Sequence, residues 1–332
     1  MMRDITKKYK VGIFGIGYVG LPLYKEFAKI FCTIGYDINK SKVQLSKKLY
    51  TLSYKKTNSK FTSNLDDLKD CNFYIITVPT PINASKKPDL RNIKDACNKI
   101  SKLLKKNDIV VLESTVYPGV VEEICVPILS KKLKFNQDFF CGYSPERINV
   151  GDKHNNIKII PKIVAGSNRY SLNVIKKIYS LIINKIVPVD NIKIAEASKV
   201  IENAQRDINI AFFNELTLIF DKLNIDSQKV FKAASTKWNF HNYSPGLVGG
   251  HCIGVDPYYL SYVAESKGVN PRVILSGRNI NDKMSKYVHR KIKEHSKSNL
   301  KNKKKYNILI LGATFKSNVD DIRNSKVFDV MN

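Results

Sequence analysis

The sequence predicts an α/β protein: a parallel sheet covered on both faces by helices, then a helical region, then the start of a second α/β unit. Three observations predict it. Short apolar runs alternate with helix-like stretches over residues 1–190, one long helical periodicity runs from Ile194 to Leu223, and a new apolar run opens at Tyr306. A chain of 332 residues is too long for one ordinary core, so the expected domains are 1–190, 191–296 and, as part of a third, 297–332.

The first strand is KVGIFGIG, Lys10 to Gly17, followed by a helix from Tyr18 to Ile30. A second strand, Cys32 to Tyr36, ends at Asp37. The apolar runs Asn72–Val78, Ile109–Glu113, Phe139–Gly142 and Lys162–Ala165 extend the sheet, and Ile186–Val189 closes it. Gly15-Ile16-Gly17-Tyr18-Val19-Gly20 fits G-x-G-x-x-G. Alone that pattern marks any tight turn. Here an apolar strand precedes it, a helix follows, and an acid ends the next strand, which is the context of a Rossmann-like nucleotide site. Gly15 permits the turn, Gly17 lets backbone approach a pyrophosphate, and Gly20 allows close helix–strand packing. The helix start at Tyr18 and Val19 turns N–H groups and a partial positive charge toward the phosphates. Asp37 accepts from the adenosine ribose hydroxyls and repels a 2′-phosphate, so NAD is expected rather than NADP.

In the central region, apolar residues at Val200, Ile201, Ala204, Ile208, Ala211, Phe212, Leu216, Ile219 and Leu223 keep helical spacing, with no Pro or Gly to interrupt them. Shorter helices are expected at Ser227–Ala234, Tyr258–Ser266 and Pro271–Lys293, and Thr236–Pro257, rich in Gly and Pro, as an ordered loop. A charged linker, Lys297–Lys305, precedes Tyr306–Phe315, which reads as a buried strand.

The formal net charge is +27, yet only nine of the 56 cationic residues are Arg, and the lysines are spread along the chain without a nucleic-acid motif. Solvated lysines on helix faces explain the charge, which also helps attract an anionic substrate. No nucleic-acid or membrane partner is expected. The six cysteines show no CxxC pair and no cluster at zinc spacing, so neither a disulfide framework nor a metal is expected. No apolar run reaches the roughly 18–20 residues of a membrane span. The charged start MMRDITKKYK lacks a signal-peptide pattern, which places the protein in the cytoplasm.

Gly249-Gly250-His251-Cys252-Ile253-Gly254-Val255-Asp256-Pro257 is the most informative segment. A cysteine beside glycines in a loop, four residues before a carboxylate, is poorly explained by core packing. With GIGYVGLPL (Gly15–Leu23), VPTP (Val78–Pro81), ESTVYPG (Glu113–Gly119), GYSPERINVG (Gly142–Gly151), ASKVIEN (Ala197–Asn203), FFNE (Phe212–Glu215), STKWNF (Ser235–Phe240) and DDIRNSK (Asp320–Lys326), the chain resembles the UDP-glucose/GDP-mannose dehydrogenase family. The bacterial UDP-N-acetylhexosamine 6-dehydrogenases of polysaccharide biosynthesis are the nearest members.

The resemblance implies an NAD-dependent four-electron oxidation of a sugar CH2OH to a carboxylate, with Cys252 carrying a thiohemiacetal and then a thioester. It implies Lys199 and Asn203 as stabilisers of the oxyanions. Their i, i+4 spacing puts both on one helical face. Asp256 is implied as general base, or as activating water with Thr115. Glu146 lies near the hydrolytic step or the substrate, and Thr80 and Thr115 lie beside the cofactor. Gly249, Lys316 and Arg323 join Glu146, Lys199 and Asn203 as substrate contacts. His251 either tunes the thiol or contacts substrate. Some UDP-glucose enzymes carry a second acid where this chain has Val150, which favours the N-acetylhexosamine subgroup.

UDP-N-acetylglucosamine (or N-acetylgalactosamine) is the leading expected substrate. UDP-N-acetylmannosamine and UDP-glucose are the alternatives, and a non-catalytic NAD-binding remnant stands outside the enzyme class. The resemblance also implies a homodimer through the long helix. A further nucleotide-sugar domain of roughly a hundred residues is expected to continue beyond Phe315, so the chain reads as a fragment, or as one part of a site completed by another polypeptide. Very low turnover is the corresponding expectation.

Overall fold

The computed structural model describes residues 2–148, 157–299, 307–317, 319 and 321–331. The chain divides into two compact units, Met1–Lys199 and Val200–Asn332.

The first unit is built on an eight-stranded sheet. After a short helix α1 (Met2–Lys8), the strands are β1 (Val11–Phe14), β2 (Thr33–Tyr36), β3 (Lys60–Thr62), β4 (Phe73–Ile76), β5 (Asp108–Leu112), β6 (Phe139–Tyr143), β7 (Lys162–Gly166) and β8 (Ile186–Pro188). Their order across the sheet is β3-β2-β1-β4-β5-β6-β7-β8. Helices α2 (Gly20–Phe27), α3 (Lys40–Tyr50), α4 (Arg91–Ile100), α5 (Val126–Leu129) and α6 (Arg169–Tyr179) connect strands of this sheet. Strands β1, β2, β4 and β5 are buried along their whole length, which is why they read as continuous apolar runs rather than alternating ones. The core between sheet and helices holds Val11, Ile13, Leu23, Phe27, Phe73, Ile75, Val111, Ile175 and Tyr179.

The sheet departs from the expected all-parallel pattern at one place. Strands β6 and β7 pair antiparallel, Gly142 with Gly166 and Tyr143 with Ala165. A parallel neighbour needs a crossover that carries the chain back along the sheet. No helix lies among the described residues of the 144–161 connection, so β7 enters where β6 ends. Helix α6 then restores the parallel sense for β8. Strand β3 had no periodicity to announce it, since three residues are too few for one. The helix after β1, α2, starts at Gly20 rather than Tyr18, because the glycine turn occupies the residues between.

The second unit is helical. It contains most of α7 (Ile192–Lys222), then α8 (Ser227–Ala234), α9 (Asp256–Ser266), α10 (Arg272–Asn299) and α11 (Val327–Met331). Asp226 caps α8 through the amides of Gln228 and Lys229. The expected strand Tyr306–Phe315 is not formed: Asn307–Ala313 has no regular structure, and Leu309 and Leu311 are 82% and 87% exposed. A strand needs a neighbour to pair its N–H and C=O groups, and no described segment of this unit provides one. Tyr306 and residues 300–305 of the expected linker lie outside the described residues, as do Asn149–Gly151, including Val150, and Asp320.

Candidate active site

The nucleotide crevice follows from strand order. Strand β1 has β2 on one side and β4 on the other, so the chain leaves the centre of the sheet in opposite directions and opens a crevice at the strands' carboxyl ends. Gly15 has φ +96°, a left-handed conformation, and a side chain there would meet the Thr77 backbone at 3.0 Å. A Cβ on Gly20 would lie 1.9 Å from the Gly15 carbonyl oxygen and 2.5 Å from Thr77 Oγ1. Gly17 differs: its nearest neighbour would be Lys42 Nζ at 3.8 Å, so its face is open. Asp37 is buried, and its Oδ2 accepts from the Ile16 amide at 2.9 Å and lies 3.3 Å from Lys42 Nζ. One carboxylate thus fixes the glycine turn from the end of β2. Tyr18 is 48% exposed, Val19 and Thr80 are half-buried, and Thr80 follows β4 on the same crevice rim. These residues fit a dinucleotide: an open glycine, a helix start and an acid stand at the switch point of the sheet.

Thr115, half-buried, follows β5 in the Ser114–Gly119 turn. Glu196 of α7 holds that turn. Its two carboxylate oxygens accept from the amides of Gly119, at 2.5 Å, and Val121, at 2.9 Å, and burial pushes its carboxyl up to about 7. Glu146 is turned into the interior. Its Oε1 accepts from the amides of Arg147 and Ile148, both at 2.7 Å, and its Oε2 from Lys162 Nζ at 3.1 Å. Lys162 also reaches Glu113 at 2.6 Å, and the Tyr179 hydroxyl donates to Glu113. Burial opposes the charge on Lys162, but Glu113 and Glu146 outweigh it and raise its pKa. Burial also pushes Glu113 up.

In the second unit, Cys252 is exposed and sits in the turn that opens α9. Its carbonyl accepts from the amides of Val255, at 3.0 Å, and Asp256, at 2.8 Å, which fixes the cysteine just ahead of the helix. Asp256 is buried in the first turn of α9, and Asn203 Nδ2 donates to its Oδ2 at 2.5 Å. Asn203 is one turn beyond Lys199 on α7, and Lys199 is 9% exposed. A Cβ on Gly249 would lie 2.5 Å from the Asn324 carbonyl oxygen. Arg323 donates to Asp321 from Nε at 2.9 Å and from Nη2 at 2.6 Å. Lys316 is half-buried beyond Phe315, its carbonyl accepting from Thr314 Oγ1 at 2.8 Å. The first unit therefore gathers Gly15, Gly17, Tyr18, Val19, Gly20, Asp37, Thr80 and Thr115. The second joins Asn203 to Asp256, four residues from Cys252.

Two domain models match this chain: the NAD binding domain of the UDP-glucose/GDP-mannose dehydrogenase family over residues 9–183, and its central domain over 193–283. The chain belongs to the UDP-glucose/GDP-mannose dehydrogenase family. It is 49% identical over 334 aligned residues to a UDP-N-acetyl-D-glucosamine 6-dehydrogenase of Salmonella typhi, an alignment covering 97% of this chain and 78% of that one. A Pseudomonas aeruginosa enzyme of the same name is 48% identical, with 98% and 80% covered. Among solved structures, a UDP-D-ManNAc dehydrogenase from Pyrococcus horikoshii superposes with TM-score 0.86 at 27% identity, covering 97% of this chain and 80% of that one. As a member of this family, the chain is an NAD-dependent dehydrogenase.

The dehydrogenase also holds a buried polar belt that sequence reasoning missed. Asn214 of α7 exchanges two hydrogen bonds with the Gly246 backbone, at 3.0 and 2.8 Å, six residues before Cys252. Asn214 Nδ2 donates to Asn281 at 2.7 Å, Asn281 Nδ2 to Asp207 Oδ1 at 2.7 Å, and Arg278 Nη1 to the same oxygen at 2.6 Å. Arg278 Nη2 reaches Asp282 at 2.5 Å, and the Tyr258 hydroxyl donates to Asp282 at 3.2 Å. The cysteine segment is thereby pinned before Cys252 at Gly246 and after it at Asp256 and Tyr258. A signal existed: Asp207, Asn214, Arg278 and Asn281 are polar residues inside helical apolar periodicity, where each must find a partner.

Proposed function

We propose that this chain oxidises the C6 hydroxymethyl of UDP-N-acetylglucosamine to the uronate, for surface polysaccharide biosynthesis, with Cys252 as the nucleophile. The observation that carries the reading is an exposed thiol in a fixed turn, four residues from a buried carboxylate that is bonded to Asn203. NAD, held by Gly15–Gly20, Asp37, Thr80 and Thr115, supplies the acceptor for the two hydrides that leave C6. In the first oxidation the sugar hydroxyl loses its proton as the C–H bond breaks, which gives an aldehyde. Cys252 Sγ adds to that carbonyl, forming a C–S bond, and Lys199 and Asn203 stabilise the resulting oxygen anion. Loss of the second hydride from the thiohemiacetal leaves a thioester. Water, deprotonated with help from Asp256 and Thr115, breaks the C–S bond and returns the thiol. The balance is one alcohol, two NAD and one water giving one carboxylate, two NADH and three protons.

Glu146 acts through the Arg147–Ile148 backbone and Lys162, because its two oxygens serve the amides of those two residues and the Lys162 amine. Gly249, Lys316 and Arg323 complete the substrate contacts, with Lys316 and Arg323 opening a substrate domain at 297–332. The NAD domain is 1–190 and the helical domain 191–296. The UDP-N-acetylglucosamine reading draws on 49% identity to an enzyme of that name, against 33% to a UDP-N-acetyl-D-mannosamine dehydrogenase of Methanococcus vannielii. The chain works in the cytoplasm, and among the described residues no helix is long and apolar enough to cross a membrane. It forms a homodimer through α7, where Ile201, Phe212 and Ile219 are 52%, 53% and 45% exposed at spacings that share one helical face. The test is NADH release with UDP-N-acetylglucosamine, UDP-N-acetylmannosamine and UDP-glucose at equal concentration. Two NADH per uronate with the first substrate preferred is expected, and preference for either of the others overturns the assignment.

A further inference from the structure

The two glycines before Cys252 are explained by what lies against them. Gly250 has φ +83°, and a Cβ there would lie 2.7 Å from the Phe315 ring. The Gly250 amide donates to the Asn324 carbonyl at 3.2 Å, and Asn324 Nδ2 donates back to the Gly250 carbonyl at 3.4 Å. Between these backbone contacts stands a side-chain pair. His251 Nε2 lies 3.1 Å from Asp321 Oδ2, and the His251 ring meets Phe315 edge-on, with centroids 6.2 Å apart.

We propose that His251 is a positioning residue: through Asp321 it clamps the loop carrying Cys252 onto the segment around Phe315 and Asp321–Lys326, so that loop and segment move as one body. Asp321 is built to receive it. Arg323 grips both carboxylate oxygens and donates its own amide to Oδ1 at 3.0 Å, which holds the Asp321 carboxyl well below the usual carboxylate range. An ionised carboxylate only accepts, so the bond requires the proton on Nε2 of His251. That fixes the ring's orientation one residue before the nucleophile. Asparagine or glutamine at 251 can also donate, but only glutamine reaches as far as the imidazole Nε2. The clamp also ties Arg323 and Lys316, proposed above as substrate contacts, to the same loop.

The importance of the clamp for turnover rests on Cys252 being the nucleophile. Its existence does not, and the test separates the two. Hydrogen exchange of the 247–255 amides and iodoacetamide alkylation of Cys252 are followed in the full chain for His251→Ala, Asp321→Ala, the double variant and His251→Gln. Each alanine variant is expected to speed exchange about tenfold, the size of one half-exposed hydrogen bond to a charged group. The double variant should be no faster than Asp321→Ala alone, since that substitution already removes the His251–Asp321 bond along with the Arg323 bonds to the same carboxylate. His251→Gln should restore exchange to within about twofold of the parent. Uronate formation should fall in the alanine variants with the KM for NAD unchanged, because the cofactor residues lie in the first unit. Parental exchange in either single variant, or rates that multiply in the double, overturn the clamp. Uronate formation by Cys252→Ala would overturn the nucleophile and leave the exchange result standing.

Discussion

Gly17 and Gly20 are three residues apart in one motif, yet adding a methyl group to each has opposite expected consequences. A Cβ on Gly20 would sit 1.9 Å from the Gly15 carbonyl oxygen and 2.5 Å from Thr77 Oγ1. Ordinary contact begins near 3.4 Å, so the turn or helix α2 must shift by roughly 1.5 Å. That shift strains the Ile16 amide bond to Asp37 and the Gly15 amide bond to the Tyr36 carbonyl, at 2.9 and 2.8 Å. Overpacking of this kind costs about 1–3 kcal/mol, so Gly20→Ala should lower Tm by roughly 3–10 °C. On Gly17 the nearest atom would be a mobile lysine amine at 3.8 Å, and the fold should not register the change. Gly17→Ala should keep Tm within about 1–2 °C of the parent. The same methyl would occupy the space through which, in the proposed cofactor placement, the pyrophosphate approaches the backbone. Losing one charge-assisted hydrogen bond of about 1.5–3 kcal/mol should weaken NAD by roughly 10–100-fold. Differential scanning calorimetry and NAD titration calorimetry read the two effects separately. Parental NAD affinity in Gly17→Ala would refute the placement of the cofactor over that glycine.

Arg278→Met should destabilise the protein by about 3–5 kcal/mol in urea unfolding, because Asp207, fully buried, is left ionised without its cation. Asp207→Leu combined with Arg278→Met should recover much of that loss, and additive losses would contradict the pairing. Glu196 gives a pH signature. Burial raises its folded pKa to about 7, above the ordinary 4.5, so its contribution is full below pH 4.5 and is lost as pH rises through 7. Between pH 5 and pH 8 the parent should lose on the order of 2 kcal/mol relative to Glu196→Gln, and parallel pH profiles would contradict this. Phe212→Glu with Ile219→Glu should convert the proposed dimer to monomer in sedimentation at micromolar concentration. A parent that already sediments as a monomer would remove the dimer.

The sheet was legible because each buried parallel strand is a short apolar run, and because Asp37, ending the second run, gives the glycine motif its meaning. Helix α7 was legible through Val200, Ala204 and Ala211, which keep one face at helical spacing and are buried. What escaped the sequence depends on partners far away in the chain. The antiparallel entry of β7 is decided by a connection without a crossover helix, and the run Ile308–Leu311 is apolar but has no described strand beside it. In the candidate site, Cys252 and Asp256 stood out by residue type in a loop. Glu113 and Lys162 did not, because a buried ion pair formed across 49 residues leaves no local periodicity. Asp321 was hidden for the same reason, since its meaning comes from His251 seventy residues earlier.

In the proposed mechanism the sugar is carried on Cys252 between the two oxidations. The most direct measurement is mass spectrometry of the quenched reaction with NAD and UDP-N-acetylglucosamine, run beside an assay of uronate. Cys252→Ser should lose net uronate formation, because a hydroxyl is a far weaker nucleophile than a thiol at neutral pH. Cys252→Ala should show no covalent sugar adduct and no uronate, while binding NAD as the parent does. Where the parent forms measurable uronate, its formation by Cys252→Ala at a comparable rate would contradict a covalent Cys252 intermediate.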